Sequence, residues 1–469
     1  QGASMMQTVQ MPVWLMLLIV GFALIAALDK VMIPSVRWFF RRRLERAVGR
    51  LNERLERPIQ PFKLARRHDM IQRLIYDPQV GKAVQAHALE NGIPEAVAFE
   101  QARGYAREIV PGFSAFAYFS FAIRAARLLS NALYRVRLVG NTAAMRDIPA
   151  DATVVFVMNH RSNMDYVLVT YLAAEQSALS YAVGEWARVW PLSRLIRAMG
   201  AYFIRRKSGS DLYRHVLSCY VRHATEAGVT QAMFPEGGLS LNGKLARPKL
   251  GLLSYMINGV DVTERDVVFV PVALNYDRVL EDTVLVAAGQ SKTRRFPARI
   301  GVITSWLLRQ LWRRITGKFT RFGTAAVSIG ATLSLRAFHE ESDANDPVEL
   351  ARDLMARIGK AVPILPVPLV AYLSRSGDPM DAEGYFQAVQ EIRRQKPKLH
   401  ILPDEQNFRS ELDAALKQLV DRRLLKLDGQ VYVPSGERSD LLEFYSGSIE
   451  HQLTDDAASA KDHSALAGS

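Results

Sequence analysis

Between Val136 and about Ile329, short apolar runs alternate with stretches of helical periodicity. Thr153–Val157, Ala201–Ile204, Gln231–Phe234, Val267–Leu274 and Ala325–Ile329 are mostly apolar, β-rich and bounded by turn residues, as strands covered on both faces are. Between them, Tyr166–Ala174 reads as a helix start, and Leu212–Ala224 repeats its apolar positions with a helical period. Strand and helix in alternation predict an α/β domain over 136–340 with a largely parallel sheet flanked by helices. Ligands of such a sheet gather beyond the carboxyl ends of its strands. Pro271, late in its run, predicts an edge or a bulge that lines a pocket.

The flanks read differently. Met11–Leu28 is an unbroken run of apolar or small residues, and at about 1.5 Å per residue it reaches roughly 27 Å. Arg37, Arg41, Arg42, Arg43, Arg46 and Arg50 follow it and no Lys or Arg precedes it. This predicts a membrane-anchoring helix over 11–33, spanning or lying in one leaflet, with the rest of the chain on the cytoplasmic face. Residues 34–135 read as helical, broken near Pro58–Pro61 and at Pro111-Gly112. Phe113–Arg137 mixes aromatics and arginines in a way that suits either a membrane surface or ordinary core packing. Residues 347–453 read as a helical C-terminal domain with one short strand at Gln430–Val433. The Ala- and Ser-rich tail 455–469 is expected to be disordered.

Charge narrows the partners. Sixty Lys plus Arg against 47 Asp plus Glu leave a formal charge of +13, which suits an anionic lipid surface, an acidic protein or nucleic acid. Zinc-finger spacing and RNA-binding aromatic signatures are absent from the sequence, so lipid is favoured over nucleic acid. Ser291–Arg321 interleaves arginines with Trp306 and Trp312, a composition for the headgroup zone of an anionic membrane. Cys219, the single cysteine, rules out a disulfide framework and reads as a small core residue.

The chemistry-bearing residues fall at the strand ends. Asn159-His160-Arg161-Ser162-Asn163-Met164-Asp165 follows the first run and places a carboxylate five positions after a histidine. A carboxylate so placed fixes the imidazole tautomer while the far ring nitrogen takes a proton from a hydroxyl, which suits acyl transfer from a thioester to an alcohol. His451 and Asp456 repeat the bare spacing, so the strand–turn–helix context carries the reading. Arg205-Arg206 ends another run and offers a bidentate clamp for phosphate. Glu236-Gly237-Gly238 offers close backbone approach with a carboxylate for a substrate hydroxyl. Lys244, Arg247 and Lys249 follow with positive field for phosphate or a pantetheine carrier. Metal-ligand spacing is absent, and acyl transfer from a thioester needs no cofactor.

In order along the chain, His160–Asp165, Phe203–Arg206, Phe234–Gly238 and Val270–Ala273 resemble the four blocks of the glycerolipid acyltransferases with a His-x4-Asp motif. The likeness is to the bacterial membrane-bound glycerol-3-phosphate acyltransferases and their dihydroxyacetone-phosphate relatives. Asn275–Glu281 and Phe444–His451 belong to the same pattern, so the resemblance runs from about Tyr105 to Leu453. It implies His160 as general base, Asp165 as its orienting partner, Arg205 and Arg206 on the glycerol phosphate, and Glu236 with Gly237 on its hydroxyls. Arg161, Ser162, Gly238, Ser240, Lys244 and Pro271, within or beside the blocks, complete the implied substrate-binding set. The co-substrate is acyl-CoA or acyl-carrier protein, and the implied location is the bacterial inner membrane. Where that branch carries Arg-Ser-Arg-x-Gly-Arg, this chain has Leu239-Ser240-Leu241-Asn242-Gly243-Lys244, which weakens or relocates the phosphate site.

Overall fold

In the computed structural model, the described residues are 12–20, 49, 52–53, 55, 57–115, 117–140, 143–172, 178–184, 192–205, 210–291, 321–341, 346–403 and 405–454. The chain divides into Gln1–Pro58 and Ile59–Ser469. In the first unit, residues 13–20 are helical and expose Val13, Trp14, Met16, Leu17 and Leu18. The rest of the expected 11–33 anchor lies outside the described residues. Among those described, no helix is long and apolar enough to cross a membrane. The tryptophan-rich 292–320 stretch, the 455–469 tail and Arg206 also lie outside them.

The second unit is built on an eight-stranded sheet: β1 (Arg135–Gly140), β2 (Thr153–Met158), β3 (Ser180–Val183), β4 (Tyr202–Phe203), β5 (Gln231–Met233), β6 (Val267–Tyr276), β7 (Thr324–Ile329) and β8 (Leu333–Ser334). Their order is β1-β7-β6-β2-β5-β3-β4, with β8 beside β6. The pairs β2–β6, β2–β5, β3–β5, β3–β4 and β1–β7 are parallel, while β6 meets β7 and β8 antiparallel. The largely parallel α/β sheet expected from the alternation is therefore present. Each residue of β2 and β6 is buried, as continuous apolar runs demand.

β6 lies inside the sheet, so Pro271 does not mark an edge strand. On one side it pairs with Val157 of β2. On the other, β8 reaches only Val268 and Phe269, and β7 begins at Val272. The Pro271 carbonyl accepts from Gly330 on that second side. In a strand the N–H and C=O of one residue face the same way, so the missing N–H falls in the gap between β8 and β7 and costs no ladder bond.

The basic aromatic stretch is divided by structure. A π-helical turn, Ala117–Ala122, leads into helix Ile123–Leu133, and the chain then enters β1. Tyr118 is fully buried between Phe113 and Phe119, whereas Phe121 and Leu128 are exposed. Cys219 is buried in helix Asp211–Glu226, and burial pushes its thiol up to about 11. The C-terminal region is helical, as expected, with a three-stranded antiparallel sheet of Met380–Asp381, Leu425–Asp428 and Val431–Pro434 in place of one strand.

Candidate functional site

β2, β3, β4, β5 and β6 run in one direction, so the segments that follow them lie along one sheet edge. Asn159 leaves β2 with its amide still in the ladder: its Nδ2 donates to the Leu274 carbonyl at 2.9 Å, and its Oδ1 accepts from the Leu274 N–H at 2.7 Å. The side chain thus replaces one step of backbone pairing and delivers His160 to a fixed place on β6.

His160 and Asp165 meet as the spacing predicted. Asp165 Oδ2 lies 2.9 Å from His160 Nδ1, and both side chains are buried. The same oxygen accepts from the backbone N–H groups of Arg161 (2.7 Å) and Ser162 (3.0 Å), while Oδ1 accepts from the Tyr276 hydroxyl at 2.5 Å. Four donors fix one carboxylate, and the carboxylate fixes the ring. With Nδ1 committed to Asp165, the far nitrogen, Nε2, is the one that can exchange a proton with a ligand. Phe234 stacks on the imidazole with centroids 4.0 Å apart, and Tyr166 meets its edge at 5.4 Å.

Tyr276 and Glu281 were not assigned roles from sequence. β6 runs four residues beyond the Met158–Val272 pair, which lifts Tyr276 to the level of the motif turn. Glu281 accepts from the Ser162 hydroxyl at 2.9 Å and from the Asn163 N–H at 2.6 Å. Burial raises its pKa, against the pull of those bonds. The signal for both was the Asn275–Glu281 string, which local spacing does not interpret. Tyr276→Phe removes one of the four donors on Asp165, and kcat is expected to fall roughly tenfold while the acceptor KM holds. Steady-state kinetics with both parameters resolved checks this.

The residues expected to bind substrate divide by what they already hold. Glu236 accepts from the His160 N–H at 2.8 Å through Oε1 and from the Ala246 N–H at 2.9 Å through Oε2. Burial raises its pKa; the Arg161 charge and those two N–H groups pull the other way. The Ser162 hydroxyl caps Met164 and donates to Glu281. Ser240 donates its N–H to the His160 carbonyl at 3.0 Å and its hydroxyl to the Lys244 carbonyl at 2.7 Å. Gly237, at φ +66°, closes a turn by donating to Phe234, and Gly238 follows it, half-buried.

The cations are distributed along the edge. Arg205 follows β4, three strand spacings from β2, which is roughly 14 Å along the sheet. Its Nε and Nη2 reach the two oxygens of Glu108 at 2.9 and 2.6 Å, and its guanidinium lies over Tyr105 and Tyr213. Lys244 pairs with Glu450 at 2.8 Å, and Arg375 holds the same carboxylate. Arg161 is only 2 % exposed; its Nη2 donates to the Ser448 carbonyl at 3.2 Å, and its Nε and Nη1 have no hydrogen-bond partner. Among the described residues, no group of three or more His, Cys, Asp or Glu side chains is arranged to hold a metal ion.

The C-terminal helix Ser439–Gly447 seals this turn. Gly243 has φ +79°, and a methyl group there would stand 1.7 Å from the Phe444 carbonyl oxygen. Leu241 packs against Gly289 of helix Asp282–Gln290. Gly243→Ala is expected to cost at least about 2 kcal/mol and to loosen the C-terminal helices. Thermal unfolding with limited proteolysis of the 439–453 segment reads both.

A family model described as acyltransferase matches residues 141–275, which span β2 to all but the last residue of β6. The chain carries an acyltransferase domain. Over 314 residues it is 32% identical to a glycerol-3-phosphate acyltransferase of Shewanella sp. (strain ANA-3), covering 65% of this chain and 37% of that protein. A relative of the same name from Shewanella putrefaciens is 31% identical over 314 residues, with the same coverage of each chain. The match thus spans little more than a third of those relatives' length. A crystal structure of a 1-acyl-sn-glycerophosphate acyltransferase from Thermotoga maritima aligns with a TM-score of 0.32 and 19% identity, over 51% of this chain and 75% of that one. The acyltransferase domain contains His160, Asp165, Arg205 and Glu236, and its last residue is Asn275.

Proposed function

We propose that this chain transfers an acyl group from acyl-CoA or acyl-carrier protein to a hydroxyl of glycerol 3-phosphate, giving lysophosphatidic acid. The observation that carries the reading is His160, held by Asp165 at a strand end inside the acyltransferase domain. The resemblance of the relatives' names points to the acceptor.

In this mechanism His160 Nε2 takes the proton of the acceptor hydroxyl as its oxygen attacks the thioester carbonyl. A new C–O bond forms, the C–S bond breaks, and the proton passes from the imidazole to the departing thiolate. Asp165 stays ionised and stabilises the imidazolium while it exists. The acyl group never bonds to the protein. The stacked Phe234 and the edge of Tyr166 exclude water from the ring, which favours the bound alcohol over hydrolysis.

A second acceptor, lysophosphatidate, is favoured by one observation: Leu239 and Leu241 are packed against the core where the resembling branch has arginine, and Lys244 is tied to Glu450. Dihydroxyacetone phosphate is a third. The apolar Met11–Leu28 run and the charge of +13 support attachment to the cytoplasmic face of a bacterial inner membrane rich in anionic lipid. Detergent-purified protein given labelled palmitoyl-CoA with each of the three acceptors in parallel tests the assignment. Product from glycerol 3-phosphate is the expected result. Product only from lysophosphatidate moves the enzyme one acylation onward, and no product from any acceptor overturns the reading.

A further inference from the structure

Of the cations expected near the acceptor, three are occupied or undescribed: Arg205 is held by both oxygens of Glu108, Lys244 by Glu450, and Arg206 lies outside the described residues. The two arginines of the resembling pattern are leucines. Arg161 keeps two unpartnered nitrogens but is only 2 % exposed, so an accessible cation for a phosphorylated acceptor comes from elsewhere, and the turn after β5 supplies one. Lys249 donates its N–H to the Pro235 carbonyl at 2.8 Å, which fixes its backbone against the Phe234–Gly237 turn. Its side chain then crosses Gly237: a methyl group at Gly237 would stand 2.7 Å from Lys249 Cδ and 3.3 Å from Nζ. Gly237 therefore serves a second purpose besides its positive φ. Its bare Cα is the floor on which the lysine lies.

Two further facts set this lysine apart. Its neighbour Glu236 spends both oxygens on backbone N–H groups, and among the described residues Lys249 has no carboxylate partner. It is also the N-cap of helix Leu250–Ile257 without a side-chain cap bond, a placement that helix electrostatics disfavour. A local cost with no local return is a mark of a functional position.

We propose that Lys249 binds the phosphate of the acceptor and sets the preference for a phosphorylated alcohol. This rests on the acyl-transfer reading above. The ammonium sits beside Gly237, one residue after the carboxylate that holds the His160 N–H, so the lysine and the support of the imidazole share one turn. Gly237 is then a specificity element too, since any side chain there displaces the lysine.

The test uses the full chain in detergent with His160→Ala to prevent turnover, and measures glycerol 3-phosphate binding by calorimetry. Lys249→Met is expected to weaken binding about ten- to a hundredfold, the scale of one charge-assisted contact, and Lys249→Arg to restore most of it. In turnover by protein that retains His160, the same substitution raises the acceptor KM by a similar factor and leaves the thioester KM in place. Binding unaltered by Lys249→Met overturns the assignment and leaves the acyl-transfer reading standing. Equal weakening by Met and Arg also overturns it, because packing on Gly237 rather than charge is then responsible. A rise in the thioester KM instead gives Lys249 to the phosphates of the donor. Absence of binding with Lys249 present overturns the choice of acceptor, and the lysine's role with it.

Discussion

Replacing His160 by alanine is expected to lower kcat about ten-thousandfold, the upper end of what a positioned general base supplies. The physical basis is the commitment of the ring. Asp165 Oδ2 occupies Nδ1, and the carboxylate is itself fixed by two backbone N–H groups and a tyrosine hydroxyl. A ring so held has one nitrogen left for chemistry and no freedom to turn away from it. The loss should fall on kcat and on kcat/KM alike, because the bond to the hydroxyl proton strengthens as the transition state forms. Initial rates over a range of acceptor concentrations read this, with thermal unfolding to show that the variant folds. Retention of a tenth or more of the activity would sink the mechanism.

The second large effect is at Glu236. Its carboxylate holds the His160 and Ala246 N–H groups and lies beside the buried charge of Arg161. Glu236→Ala leaves the buried His160 N–H and the part-buried Ala246 N–H without acceptors, and Arg161 without its compensating neighbour. Such losses cost about 3–5 kcal/mol, enough to threaten folding. Glu236→Gln is the gentler probe. Its one carbonyl oxygen serves a single N–H, and its amide NH2 confronts the other. It should fold with reduced stability and turn over more slowly, the effect falling on kcat because the His160 backbone is displaced. A direct hydroxyl-binding role for Glu236 would show instead as a raised acceptor KM with intact stability. Chemical denaturation alongside steady-state kinetics separates the two.

The sheet strands that hold the site were legible because each is an apolar run that ends in a turn. Thr153–Val157 was expected and Thr153–Met158 is found; Val267–Leu274 was expected and Val267–Tyr276 is found. β1 was hidden by its half-exposed pattern, with Arg135 and Arg137 alternating with Val136 and Leu138 directly after a basic helix. The alternation with helices implied the parallel direction of most strands, but a period of two is the same whichever way a strand runs, so a local reversal was not legible. That is why β7, expected as the strand Ala325–Ile329, was not foreseen as antiparallel to β6, nor was the junction with β8 that makes room for Pro271.

The candidate site divides along the same line. His160 and Asp165 are close in sequence, and a short turn brings them together. Their supports come from far away: Tyr276 is 111 residues from Asp165, and Glu281 is 119 from Ser162. The partners of the cations are more distant still in kind, because Glu108 lies on a helix before the domain and Glu450 on one after it. Local spacing finds a cation near a strand end and says nothing of the carboxylate that has already claimed it. Lys249 is the converse case: its charge near the turn was legible, and its placement over Gly237 only the fold discloses.

The central claim is that His160 activates the acceptor for direct attack on the thioester. Mixing this chain with labelled palmitoyl thioester in the absence of acceptor, followed by acid quench on the millisecond scale, tests it most directly. The account predicts no label on the protein and no burst of free thiol, with thiol released only when glycerol 3-phosphate is added. Stoichiometric acyl-protein before acceptor is present would contradict it, and would place a nucleophile of the protein itself in the reaction.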